Sequence, residues 1–494
     1  MPPAPTKRRK TVPASDDEHP QSDVLTTHAP AMCSSPSALS TTTASSQPQV
    51  AYQYLYLDTI DRTKLDFDFD KVCSVSLAKE NVYACLVCGR YFQGRGRSTY
   101  AYFHSINEGH HVFINLETHK VYVLPDGYEV VDASLNDIKH VVDPRFTAND
   151  IVQVDTMVKP SLDVHRKPYL PGYIGVNNIK ANDYVNVVIQ ALAHVTPLYH
   201  YFLQTAPAVV PASPSLAVDL VQQFSLFVRK LWNPRAFKAQ VAPHELLQAI
   251  GKASANKFKV DVQADAAEFL SWLLNTLHRG LGGTKKSNSS IIYQTFRGAI
   301  QVTTDPAPSA TTGSAKDTNT DSTVATKPMP MLLLSLDLPP APLFQDEQER
   351  NILPQVPLTE LLAKFDGRTP VQTATGAWQR YQILSLPRYL IIVIKRFARS
   401  NFSLEKNPTV VSFPITDLNM GELTHMTDSA GQPVDCFYDL VANISHSGKP
   451  GTPQSSYHIH VRNPAKDEWY QIQDLLVDIV DPQRLFLSES YIQV

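Results

Sequence analysis

The chain has 494 residues, 43% of them hydrophobic, with 44 Lys and Arg against 47 Asp and Glu and a formal net charge of −3. That length allows roughly three domains of about 150 residues with substantial cores, and the near-balanced charge excludes a general attraction to nucleic acid. No run of about 18 or more apolar residues suggests a membrane span and the polar N-terminus carries no apolar signal segment, so neither membrane insertion nor secretion is expected.

Residues 1–50 are rich in Pro, Ser, Thr and Ala. They hold too few large apolar groups to offset chain entropy and are expected to be a disordered tail. Within it Lys7, Arg8, Arg9 and Lys10 precede an acidic cluster of Asp16, Asp17 and Glu18, a pattern that reads as a nuclear-import address or as a solvated charge run.

The block 52–160 carries a cysteine and histidine cluster followed by the alternating runs HVFINL and HKVYVL and the turn signal PDG. This predicts a small α+β module. Three of the five cysteines fall between Cys73 and Cys88, whereas Cys33 and Cys436 stand alone. That is a poor disulfide framework, and it fits a reducing compartment with one metal site. Cys85 and Cys88 are separated by two residues, His104 follows after fifteen and His110 after five more. Two thiolates and two imidazoles fill the tetrahedral shell of one structural Zn²⁺ and leave no open position for catalysis. His111 and Cys73 stand close enough in sequence to replace a ligand. Reduced buried cysteines with surface histidines are the alternative without metal. A nucleic-acid-reading finger would be complete in about thirty residues, but here strand patterns continue through Tyr128 and Val130, so the metal staples a larger domain.

The block 168–494 opens with helical periodicity in VNVVIQALAHV, DLVQQFSLFVRKLW and DAAEFLSWLLNTLHRGL, then turns to the strand-like runs MLLLSLDL, YLIIVIKRF, YDLVANI and YHIHV. Helices first and strands later predict segregated α+β architecture. The low-complexity stretch at 303–330 is expected to be a disordered surface insertion.

With these patterns in place, two resemblances stand out. CLVCGRYFQGRG with its downstream histidines resembles the zinc finger of ubiquitin-protease type, which assigns 52–160 to that module. Arg90 matches the arginine with which such fingers help hold the ubiquitin tail, but Tyr83 stands where tryptophan is usual, so ubiquitin binding is not implied. Five ordered patches, GVNNIKANDYVNVVIQAL from Gly175, QADAAEFL from Gln263, YLIIVIKRF from Tyr389, VVSFPI from Val410, and YDLVANISHSG with SSYHIHV and EWYQIQD, resemble the ubiquitin-specific protease catalytic domain. The implied fold is a papain-like thumb and palm with a β finger extension. The paired CxxC motifs of many such fingers are absent, so that extension is expected to be metal-free.

A thiol protease needs a thiolate, an imidazole and a polar group to orient the imidazole. By the resemblance these positions fall on Asp183, Ser456 and Gln473, while Asn178 matches the oxyanion-stabilising asparagine. Asp183 is a poor nucleophile toward an amide, no motif supplies it with a partner acid, and Cys436 reads as a small apolar residue at a strand start. His446, His458 and His460 remain as possible bases. Asp183 is expected to cap the helix that follows it. The segments YLDTIDRTKLDFDFDKVCSVSL, RKLWNPRAFKAQVAPHELLQAI and LSESYIQV resemble the catalytically inert, spliceosomal branch of the family. That likeness implies a nuclear pseudo-protease that supports the U4/U6.U5 tri-snRNP in pre-mRNA splicing by contacts with its proteins. A working or ubiquitin-reading deubiquitinase is the alternative, and direct RNA binding through KRRK and GGTKK is opposed by the net charge.

Overall fold

The alternating runs around the metal motif become five short strands, β1 (Val82–Cys85), β2 (Tyr91–Gln93), β3 (Val112–Asn115), β4 (Val121–Val123) and β5 (Tyr128–Val130), in the sheet order β2-β1-β3-β4-β5. Helix α1 (Tyr100–Asn107) lies between β2 and β3. This computed structural model describes residues 55–156, 159–204, 215–305, 325–340, 354–372, 377–399, 404–425, 432, 434–452 and 454–494. The expectations for the tail 1–50, including its basic tetrad and Cys33, lie outside the described residues, as does 306–324 of the low-complexity stretch.

Helix α2 (Ala148–Asp155), within the block assigned to the zinc module, places Ile151 and Val154 in the core of the following helical layer. That layer contains α3 (Asp183–Ala193), α4 (Thr196–Gln204), α5 (Leu216–Leu231), α6 (His244–Ala253) and α7 (Ala266–Gly280). The periodic runs named above form α3, α5 and α7. Ser215 caps α5 by accepting the Val218 N–H, and Asp265 caps α7 by accepting that of Glu268, each supplying one of the acceptors that a helix start lacks. All eleven residues of α3 are buried. Each of its Val, Ile and Leu side chains contributes about 1.5–3 kcal/mol by leaving water, while Asn186 and Gln190 satisfy their amides on the carbonyls of Val176, Asn177 and Ile174.

The later runs form two larger sheets. Strands β6 (Gly298–Asp305), β7 (Ala325–Met331), β9 (Asp366–Gln372) and β10 (Trp378–Ser385) assemble in the order β7-β6-β10-β9. Strands β8 (Leu334–Asp337), β11 (Ile392–Lys395), β12 (Ala442–Ser447), β13 (Ser456–Asn463), β14 (Glu468–Gln473), β15 (Leu476–Val480) and β16 (Ser490–Gln493) assemble in the order β8-β11-β16-β12-β13-β14-β15. One expectation is corrected here. The stretch 303–330 was expected to be disordered throughout, yet its two ends pair as antiparallel strands, Thr303 opposite Thr326 and Val302 opposite Lys327. Backbone hydrogen bonding holds an exposed ribbon without a strongly apolar face, so a composition argument based on burial misses it.

The zinc module and the helical layer share a seam built from LDFDFDK. Alternation along this extended segment puts three carboxylates on the helical layer. Asp66 pairs with Lys238, Asp68 accepts from Lys230 Nζ at 2.8 Å and from the Ala242 N–H at 3.0 Å, and Asp70 accepts from Gln248. Phe67, between them, is 5% exposed and packs in the same cluster as Phe237 from the other side of the seam.

Candidate functional sites

Cys85 ends β1, and Cys88 follows in a tight turn whose Gly89 N–H bonds the Cys85 carbonyl at 2.9 Å. Gly89 has φ +76°, and a Cβ there would meet the Lys64 carbonyl oxygen at 2.3 Å, so the turn demands glycine. His104 lies in the last turn of α1 and His110 follows it. The ligand atoms of these four side chains all lie within 4.8 Å of one another. His104 Nε2 stands 3.4 Å from Cys88 Sγ and 3.0 Å from His110 Nδ1, close to the roughly 3.3–3.8 Å between donors on a tetrahedron with zinc–ligand bonds of about 2.0–2.3 Å. Hydrogen bonding between the sulfurs lowers the Cys88 thiol and raises that of Cys85. The donor set fits one zinc ion. His111 instead directs Nδ1 at the Leu124 carbonyl, 2.8 Å away, and lies tilted against the Tyr56 ring, while Cys73 Sγ accepts the Ser76 N–H at 3.4 Å. Neither joins the group.

On the same module Tyr83 is 5% exposed with its ring edge-on to Tyr122, and the Arg95 guanidinium lies 4.2 Å above the Tyr122 ring. Arg90 is exposed.

The second site forms where the start of α3 meets β13 and β14. Asp183 is the first residue of α3 and is 4% exposed. It stands one residue past the cap position expected from sequence, and its carboxylate, which still meets the N–H groups of Asp183 and Tyr184, also reaches beyond its own helix. Oδ2 accepts the Tyr457 N–H at 2.9 Å and Gln263 Nε2 at 2.6 Å. The cap position belongs to Asn182, whose Oδ1 accepts the Ile179 N–H at 2.7 Å. Burial pushes the Asp183 carboxyl above its usual range, against the pull of those hydrogen bonds.

Ser456 opens β13, Gln473 closes β14, and the Gln473 amide reaches Ser456 Oγ at 3.4 Å. Asn178 is close by, but its Nδ2 donates to Asp474 Oδ2 at 3.4 Å. Burial raises the Asp474 carboxyl, the Asn178 amide pulls it back, and the charge of Asp183 raises it further. The structure thus brings together all four residues singled out from sequence. It adds Asp474, Gln263 and Ser455, which sequence reasoning left without roles. Ser455 Oγ donates to Gln263 Oε1 at 2.7 Å and lies 2.9 Å from His446 Nε2. Adjacency to Gln473 and a place at the head of QADAAEFL were the only signals for Asp474 and Gln263.

An oxyanion needs preorganised donors in a positive environment, and here the Asn178 amide is committed to one carboxylate with a second nearby. His446 is 2% exposed and, among the described residues, its Nδ1 has no hydrogen-bond partner; burial above all, helped by the charges of Lys406 and His458, lowers it to about 3. It is too weakly basic to activate Ser455. Burial likewise lowers His458 to about 4. Cys436 uses its backbone N–H on Asn419 Oδ1 at 3.2 Å.

Comparison with known proteins places both sites in a family. The profile of ubiquitin carboxyl-terminal hydrolase matches residues 174–494, and that of the Zn-finger in ubiquitin-hydrolases matches 73–135. The chain is 47% identical over 455 residues to ubiquitin carboxyl-terminal hydrolase 39 of Mus musculus, covering 89% of this chain and 79% of that protein. It is 44% identical over 449 residues to the probable mRNA-splicing protein ubp10 of Schizosaccharomyces pombe, covering 90% and 88%. Its fold matches the crystal structure of an essential yeast splicing factor with a TM-score of 0.71 at 28% identity, over 89% of this chain and 98% of that one. A zinc finger followed by a helix start and two strands that meet at one site, with a profile match across most of the chain, makes this protein a member of the ubiquitin carboxyl-terminal hydrolase family.

Proposed function

We propose that this chain is a non-catalytic pre-mRNA splicing factor of the nucleus that supports assembly or stability of the U4/U6.U5 tri-snRNP through protein contacts, with one structural zinc ion held by Cys85, Cys88, His104 and His110. The observation that carries the non-catalytic reading is the buried Asp183 carboxylate, spent on the Tyr457 N–H and Gln263, where the family resemblance puts a cysteine. Ser456 and Gln473 at the histidine and acid positions leave no base for a nucleophile. Loss of triad members typically costs about 10⁴–10⁶ in turnover. The splicing reading rests on the relatives named for that process and on the TM-score of 0.71 with a splicing factor. The profile match to a zinc finger and the geometry of its four side chains support the metal.

Affinity purification from nuclear extract, with identification of both protein and RNA, tests the assignment. Recovery of tri-snRNP proteins is expected. Their absence would overturn the splicing role and leave the fold untouched.

A further inference from the structure

A groove runs along the seam between the two modules, walled on one side by the segment 70–79 and on the other by α6 and the loop at 256–260. Its main cavity measures about 530 Å³, and an adjoining one of about 190 Å³ shares Asp70, Lys79, Gln248 and Lys252 with it. The two adjoin through these four residues. Three lysines line the main cavity, Lys79, Lys252 and Lys259, and all three are exposed. Among the described residues none of them enters an ion pair, although the seam beneath pairs Lys230, Lys238 and Lys71 with carboxylates. Between the lysines the lining turns apolar, with Ile179, Phe258 and Val260. Ile179 adjoins Asn178, so the groove begins beside the degenerate centre.

We propose that this groove is a docking site for an extended acidic peptide segment of a partner protein, whose carboxylates meet Lys79, Lys252 and Lys259 while an apolar side chain between them rests on Ile179, Phe258 and Val260. Charge complementarity selects the occupant. Unpaired exposed cations on a groove attract acidic chains and speed their encounter, and two adjoining cavities with shared lining suit a chain rather than a compact ligand. A nucleic-acid strand suits it less. Asp70 in the main cavity and Asp219 and Glu245 in the smaller one repel any unbroken run of negative charge, whereas a peptide can set a neutral or apolar residue there, and at Ile179 and Val260, between its carboxylates. Because one wall belongs to the zinc module and the other to the helical layer, the seam of Asp66, Asp68 and Asp70 holds the groove in shape. This explains what that seam is for in a chain without catalysis.

The test uses the purified full-length chain and a fluorescent synthetic peptide of about a dozen residues in which Asp and Glu alternate with Leu. Saturable binding that weakens with salt is expected, and the triple variant Lys79→Glu, Lys252→Glu, Lys259→Glu should weaken it at least about tenfold. The double variant Lys285→Glu, Lys286→Glu, on an exposed loop outside the groove, should leave it within about twofold, and unchanged melting temperatures would establish that both variants fold. Absence of saturable binding at millimolar peptide, or equal binding by the triple variant, would overturn the proposal. So would tighter, groove-dependent binding of a single-stranded RNA of similar length, which would make the groove a nucleic-acid site. The measurement reads the groove alone, whatever the outcome of the splicing assignment.

Discussion

The carboxylate of Asp183 accepts the backbone N–H of Tyr457 at 2.9 Å, so the start of the central helix is tied to the strand that carries Ser456. In a thiol protease these two elements face each other across a working cleft. Here they are joined by a hydrogen bond, which gives the buried acid at this helix start a structural part. Replacing Asp183 with alanine leaves the Tyr457 N–H and one Gln263 donor buried without an acceptor, a loss of about 1–3 kcal/mol. Chemical denaturation of the purified variant checks this, and a change within experimental error would refute the tie.

The same residue makes a pH prediction. Its native carboxyl is raised above the usual value of 3.8 by burial, so the folded state takes up a proton at higher pH than the unfolded state does. The stability linked to this group is therefore present below 3.8 and is lost as pH rises through the raised native value. Asp183→Asn does not titrate. The stability of the natural chain minus that of Asp183→Asn should increase as the solution is acidified from neutrality; a flat difference would show that the carboxyl is not raised.

Restoring the triad should not readily restore a protease. Asp183→Cys alone lacks a base and should leave a ubiquitin C-terminal electrophile unreacted. The triple change Asp183→Cys, Ser456→His, Gln473→Asp supplies the groups, but the Asn178 amide remains bound to Asp474 at 3.4 Å, and catalytic groups need placement within about 0.5 Å. Weak hydrolysis of a fluorogenic ubiquitin substrate is the most we expect. Efficient turnover would mean that the substrate channel is intact.

Zinc content distinguishes the ligands from their neighbours. About one zinc per chain is expected, lost in Cys88→Ser with a lower melting temperature and retained in Cys73→Ser, since Cys73 Sγ accepts the Ser76 N–H and stands outside the group of four ligand atoms. Atomic emission on well-folded protein reads both. Zinc near zero in the natural chain, or lost on changing Cys73, would overturn the assignment.

The seam is graded by burial. The Lys230 side chain is 11% exposed and that of Asp68 20%, against 37% and 23% for Lys238 and Asp66. Asp68→Ala leaves the buried Lys230 ammonium without its paired carboxylate, with the Phe67 carbonyl as its remaining hydrogen-bond partner, and should cost about 3 kcal/mol, whereas Asp66→Ala should cost about 1 kcal/mol or less. Urea unfolding of the two variants side by side measures the contrast, and equal losses would contradict it.

Local pattern was enough for much of this protein. The periods of VNVVIQALAHV and DAAEFLSWLLNTLHRGL mark α3 and α7 because a helix that packs against others must repeat its apolar residues every three or four positions. The alternation in HVFINL marks β3 for the corresponding reason in a sheet. The metal group was legible because its ligand types and short spacings are dictated by the ion. What sequence could not decide was how distant segments meet. Nothing local distinguishes His110 from His111; the choice is made by β4, whose following residue Leu124 offers His111 a carbonyl. Asp183 looked like a helix cap because a carboxylate at a helix start usually serves its own backbone. A strand 274 residues later supplies a further N–H, that of Tyr457, which the same carboxylate accepts. The ends of 303–330 pair through backbone groups that every sequence possesses, so composition carried no trace of them. Long-range hydrogen bonds and the closing of buried polar groups against one another are decided by the whole chain at once, because no single segment contains both the donor and the acceptor.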